Sequence, residues 1–253
     1  MKRLLVILVF LLSFSLFFLK EQAYPKDFNQ KPANILILHS YHHHLEWTKT
    51  IQDSIEKVFN QAGLSVNLYV EYLDSLRNPD KIKLITPYLL SRYQNISLSG
   101  IIVSDNDAFE WIKENQNPLF SSLPIVFCGL NNFSISMIEN IPHITGVAEK
   151  PSFYETLLLI QKQNPSLKKL LVLGDSSNIT FYYNKKALEE ALNQISPSFN
   201  VEYGTSGQLD FMIEKIKNLP PSSAVFLMAW SLNEKKEILS LSFATKKMTQ
   251  ASN

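Results

Sequence analysis

Gly100-Ile101-Ile102-Val103-Ser104-Asp105-Asn106-Asp107 and the residues through Trp111 decide the architecture. A short aliphatic run reads as a strand. It ends in small polar side chains of the kind that cap helices, and a helix follows. Strand, polar turn and helix make one unit of an α/β chain.

The same unit recurs on either side. Upstream, residues 34–39 (NILILH) are continuously apolar, as expected of a strand covered on both faces. The helix after them, from about Trp47, carries Trp47, Ile51, Ile55, Val58, Phe59 and Ala62 on one stripe, which predicts a buried face headed by Trp47. Gly63 stands where a left-handed cap is wanted. A strand at 65–72 follows. Asn78 then predicts an N-cap, Pro79 a first helical turn, and Pro87 a kink. Downstream come strands at 124–128 and 144–148, with a short helix near 134–140 between them. After Pro151 the cycle restarts: a helix at 152–163, strands at 169–173, 200–203 and 224–229, helices over 187–195 and 209–218, and a last helix from about Asn233. Five units, a crossover near 146–151 and three more units predict two α/β lobes, at 34–148 and 149–253, the second incomplete.

Residues 1–20 read as an export signal. Lys2 and Arg3 precede an apolar run from Leu4 to Leu19. The run is shorter than the ~20 residues that span a bilayer comfortably. Cleavage after Ala23 would place Glu21 where a small residue is preferred, so a cleaved signal peptide and an N-terminal membrane anchor both stay open. Polar residues 21–33 form a tether. The expected location is periplasmic or otherwise extracytoplasmic.

Composition removes several classes. The 253 residues hold 24 basic and 23 acidic side chains, and no basic block follows the first three residues, so no nucleic-acid partner is expected. Neither G-x-G-x-x-G nor G-x-x-x-x-G-K-[ST] occurs, which removes the common glycine-loop nucleotide sites, and no cofactor is expected. One cysteine, Cys128, excludes an internal disulfide and reads as a small buried residue. No G-x-S-x-G elbow is present. His39, His42, His43 and His44 invite a metal reading, but neighbouring side chains of an extended segment point oppositely. A solvated helix-entry loop is the expectation, with no metal.

Ligands of open parallel sheets sit beyond the C-terminal ends of the strands. The residues there are Ser40 and Tyr41, then Asp105 and Asn106, then Asn131 and Asn132; in the second half they are Asp175, Ser176 and Trp230. Hydroxyls, amides and helix N-termini of this kind hold small polar solutes without reacting with them. Asp105 and Asp107 also fit a helix start, where carboxylates meet the positive end of the dipole.

A series of residues carries a resemblance: His39-Ser40-Tyr41, Trp47-Thr48, Tyr69 to Asp74 with Pro79-Asp80, Ser104 to Ala108, Pro124 to Gly129 with Asn131-Asn132, then Thr145-Gly146-Val147 and Glu149. It resembles the ABC transporter substrate-binding proteins of the periplasmic-binding-protein type I class. The nearest branch also serves as the sensor region of membrane histidine kinases and diguanylate cyclases. The resemblance implies two Rossmann-like lobes around a hinge, with a small polar or aromatic solute clamped between them. Ser40, Tyr41, Asp105, Asn106, Asn131 and Asn132 would line one wall, and Asp175, Ser176 and Trp230 the other. It implies a non-enzymatic binder working with a membrane permease, or else an input domain of a sensor kinase or cyclase. Members of this family continue past the position of Trp230 with strands that return to the first lobe, so a truncated second lobe is expected. A secreted hydrolase or metal enzyme using the histidines is the rival of another class.

Overall fold

The computed structural model describes residues 31–116, 118–176, 179–206, 208–228 and 241–252. The export signal and most of the tether lie outside them. Five strands form the first sheet: β1 (Ala33–His39), β2 (Val66–Tyr72), β3 (Gly100–Ser104), β4 (Ile125–Leu130) and β5 (Ile144–Ala148). Their order is β2-β1-β3-β4-β5, all parallel. A second parallel sheet, ordered β7-β6-β8, contains β6 (Lys169–Gly174), β7 (Asn200–Thr205) and β8 (Ser223–Leu227). Parallel neighbours need crossover helices. These are α1 (Glu46–Ala62), α2 (Lys81–Tyr93) and α3 (Asp105–Glu114) in the first half. In the second half they are α4 (Phe153–Gln163), α5 (Ile179–Ile195), α6 (Leu209–Lys217) and α7 (Leu241–Ala251).

Alternation along the central strands sorts the core. In β1, Leu36 and Leu38 pack with Leu89 and Tyr93 of α2 and with Phe109, Trp111 and Ile112 of α3. In β6, Leu170 and Val172 face Leu157 of α4 and Leu188 of α5, while Leu171 and Leu173 face Met212 of α6 and Ala244 and Met248 of α7. The second sheet is thus covered by apolar side chains on both faces, as continuous aliphatic strands require. Gly63 ends α1 at φ 62°, the left-handed cap that its position predicts.

Several expectations fail for physical reasons. The predicted apolar stripe of α1 is not its buried face: Trp47 is 44% exposed and Val58 63%, and the side chains turned inward are Thr48 and Gln52. The strand beneath ends in the buried His39, whose ring needs a polar partner, and Gln52 supplies it. Asn78 does not cap α2. Its amide donates to Asp74, whose carboxylate also takes two hydrogen bonds from Arg77, and the helix starts later, at Lys81. Pro87 lies inside that helix, the position at which a kink is expected, and the helix ends at Tyr93. The short helix near 134–140 is a single 3-10 turn, Ile135–Met137. Cys128 is half-buried rather than buried, because its face of β4 carries the exposed Val126. The predicted start of the last helix near Asn233 lies outside the described residues.

Candidate functional site

Parallel register brings the strand ends abreast. His39 pairs with Ser104, and Ser104 with Cys128, so the turns after β1, β3 and β4 emerge side by side. The turn after β5 joins them, since the Glu149 amide donates to the Leu130 carbonyl.

Asp105 is the centre of this rim. It opens α3 with φ 67° and is 2% exposed. Its carboxylate accepts the Trp47 indole N–H at 3.0 and 3.2 Å. Gly129, at φ 73°, lets the next turn close over it: a Cβ there would stand 3.1 Å from the Asp105 carboxylate and 3.5 Å from the Trp47 ring. A helix N-terminus favours an anion. Burial nevertheless wins and pushes the Asp105 carboxyl up to about 7, with the Glu149 and Asp107 charges adding to it and the Trp47 and Ser104 hydrogen bonds opposing it. Glu149 is raised as well, by burial, with the nearby Asn131 side chain opposing the rise.

Asn106 and Asn131 lock two turns together. The Asn131 amide N–H donates to Asn106 Oδ1 at 3.0 Å, and the Asn106 side chain returns a bond to the Asn131 carbonyl at 3.3 Å. Asn131 is 5% exposed, and its Oδ1 has no hydrogen-bond partner among the described residues. Tyr41 completes the wall. Burial first, then Asp105 and Asp107, raise its phenol well above the usual range, and nearby Thr180 in the first turn of α5 opposes that rise. Tyr41 of the first lobe and Thr180 of the second are thus neighbours.

The other predicted site residues divide. Ser40 is wholly buried and committed to the scaffold: its hydroxyl donates to the Ser104 carbonyl at 2.8 Å and accepts from the Ala108 N–H at 2.8 Å. Asn132 is exposed, with φ 54°, and forms the turn after β4. Asp175 is buried just past β6 and Ser176 is half-buried beside it. Trp230 lies outside the described residues. Sequence reasoning left Trp47 in the core, but it is a wall of the rim. It also did not weigh the residue that follows β5, Glu149, although the same strand-end rule would have found it.

The histidines do not act together. His39 is buried, with Nδ1 2.7 Å from the Ser104 hydroxyl and Nε2 2.8 Å from Gln52 Oε1. The Gln52 amide in turn donates to Glu56 at 2.7 Å. A hydrogen-bonded row thus runs from Glu56 through Gln52 and His39 to Ser104, the residue before Asp105. Burial lowers the His39 pKa, which keeps the ring neutral at pH 7. His42 is not solvated, contrary to the loop expectation: it is 4% exposed, neither ring nitrogen has a partner among the described residues, and burial and then Arg77 lower its pKa. His43 and His44 are exposed. Among the described residues no three His, Cys, Asp or Glu side chains are grouped to hold a metal ion. A groove of about 560 Å³ lies elsewhere, between Glu46 and the solvent side of α7; it is open to solvent and holds no buried polar group.

No protein-family model matches the sequence, and no curated protein sequence matches it. Solved structures do match the fold. One is an ABC domain in complex with L-Trp from Streptococcus pneumonia, with TM-score 0.58 and 11% identity over 88% of this chain and 71% of that one. Another is a periplasmic sugar-binding protein of an ABC sugar transporter from Legionella pneumophila, with TM-score 0.56 and 13% identity over 86% and 74%. A third is a solute-binding protein of an ABC transporter from Rhodopseudomonas palustris in complex with 3,4-dihydroxybenzoic acid, with TM-score 0.55 and 12% identity over 88% and 61%. At such identities the likeness speaks for the fold, and the fold is the two-lobed α/β architecture of type I periplasmic binding proteins.

Proposed function

We propose that this chain is an extracytoplasmic solute-binding protein. It captures a small molecule between its lobes, leaves it chemically unaltered and delivers it to the membrane permease of an ABC-type importer. The observation that carries this reading is the convergence of four strand-end turns on one wall, with Tyr41 of that wall close to Thr180 of the other lobe. Groups that meet at the C-terminal edge of a parallel sheet are placed to hold a ligand. The wall offers hydrogen-bonding groups and two aromatic rings. Ser40 and Ser104, its two serines among the described residues, are both buried and bonded within the scaffold.

The mechanism is capture by closure. The chain passes from the first sheet to the second through residues 149–152, directly after β5, and rotation there opens the Tyr41–Thr180 contact. Solute that contacts both walls favours the closed form by its extra contacts, and a partner reads that form. The nearby apolar run at residues 4–19 supports export, and its basic start sets the direction.

Isothermal titration against amino acids, purines and sugars tests the reading. Saturable binding of one compound, weakened at least tenfold by Asp105→Ala and by Asn131→Ala, is the expected result. Binding that survives both substitutions places the site elsewhere.

A further inference from the structure

We infer that the solute carries a protonated amine or guanidinium, received by Asp105 together with Asp107 and Glu149. This rests on the solute-binding reading above and names the ligand class of that site.

Three carboxylates share the rim, since Asp105 and Tyr41 both sense Asp107 and Glu149. None of the three forms a salt bridge among the described residues. Asp105, 2% exposed, accepts side-chain hydrogen bonds among the described residues from a neutral donor, the Trp47 indole. An ionised carboxylate held that way lacks the opposite charge that normally accompanies burial. A second, independent shortage lies beside it. Asn131 Oδ1 is buried without a donor among the described residues, and the Asn131 backbone N–H is bonded to Asn106, the neighbour of Asp105, which holds that amide beside the acidic wall. The wall therefore has spare acceptors and spare negative charge. A neutral sugar hydroxyl would supply donors without charge, and a carboxylate would supply neither. An ammonium brings three N–H donors and a positive charge, and a guanidinium brings five.

The chain's own cations do not fill the role. Arg77 is bonded to Asp74. His39 is bonded to Ser104 and Gln52, and burial keeps it neutral. A metal ion lacks the three converging ligand groups among the described residues. An organic cation with an apolar body suits the two rings on the wall, since indole and phenol faces attract cations.

The test uses the full chain at pH 8, with calorimetry and thermal unfolding. The probes are the twenty protein amino acids, phenethylamine and putrescine, beside N-acetylphenylalanine, 3-phenylpropanoate, glucose and 3,4-dihydroxybenzoate. A cationic probe should bind, its counterpart without the charge should bind at least thirtyfold more weakly, and Asp105→Asn should weaken the cation at least tenfold without lowering the unfolding temperature. Glu149→Gln, at a half-buried position, should weaken it several-fold. If the tightest probe is uncharged or anionic and Asp105→Asn leaves it unchanged, the ligand class is wrong while solute binding stands. A cation whose affinity survives both substitutions also overturns the inference. If no probe binds at millimolar concentration, both readings fall.

Discussion

The two central strands, β1 and β6, are equally buried and differently used. In β6 the side chains on both faces are aliphatic, and helices close over them from either side. In β1 one face is aliphatic, while the other runs from Ile37 to His39, against a helix that turns Thr48 and Gln52 inward. The first lobe gives up apolar cover at its C-terminal edge to hold polar groups in fixed positions; the second keeps a plain core. A buried polar contact returns only about 0.5–1.5 kcal/mol net, less than a buried Leu contributes. The exchange is costly for the fold and useful only to a site.

The sharpest way to break this contrast is Asp105. Its folded pKa of about 7 lies above the ordinary 3.8, so the folded state holds the proton longer than the unfolded one. The contribution of this group is fully present below pH 4 and is lost as pH rises through 7, a loss of about 4 kcal/mol. Asp105→Asn should remove that slope. Denaturant unfolding at pH 4 and pH 8 measures it as the difference between the two proteins. Equal slopes would mean that Asp105 is not desolvated and that the first lobe is no more strained than the second.

Leu171→Ala addresses the other side of the contrast. Leu171 is fully buried between β6 and the α6–α7 layer. The substitution leaves a cavity and should cost about 3 kcal/mol at any pH from 4 to 8. A loss that varied with pH would couple the plain core to the charged rim.

Gln52→Ala should cost about 2 kcal/mol, because it removes the acceptor facing His39 Nε2 and leaves a buried imidazole N–H without a partner. Urea unfolding at pH 8, where the imidazole is neutral, reads this cost. A change under 0.5 kcal/mol would show that the polar face of α1 is tolerated rather than used.

Much of this was legible beforehand, and unevenly. β3 and β5 fall on residues 100–104 and 144–148 as the sequence predicts, because a short aliphatic run bounded by turn-forming residues admits few boundaries. The meeting of Asn106 with Asn131 followed from a general rule about strand ends. What failed was the orientation of α1. Periodicity at Trp47, Ile51 and Ile55 marks an amphipathic helix but not which side meets the sheet, and that was settled by His39, a residue on another element. Tyr41 and Thr180 are neighbours more than a hundred positions apart, and nothing local announces it.

The smallest effect concerns that misread stripe. Val58 is 63% exposed, on the side of α1 opposite Gln52, and belongs to none of the three buried clusters. Val58→Lys exchanges a β-branched residue for a better helix former and adds a solvated charge, so the unfolding free energy should change by less than about 0.5 kcal/mol. Val126 on β4 and Val147 on β5 are exposed in the same manner, at 44% and 72%. A loss of 2 kcal/mol or more at Val58 would require a surface that covers α1 in solution. The polar inward face of the helix would then be one of two buried faces, and β1 would match β6 in being enclosed by apolar side chains after all. A null result leaves the contrast between the strands as drawn.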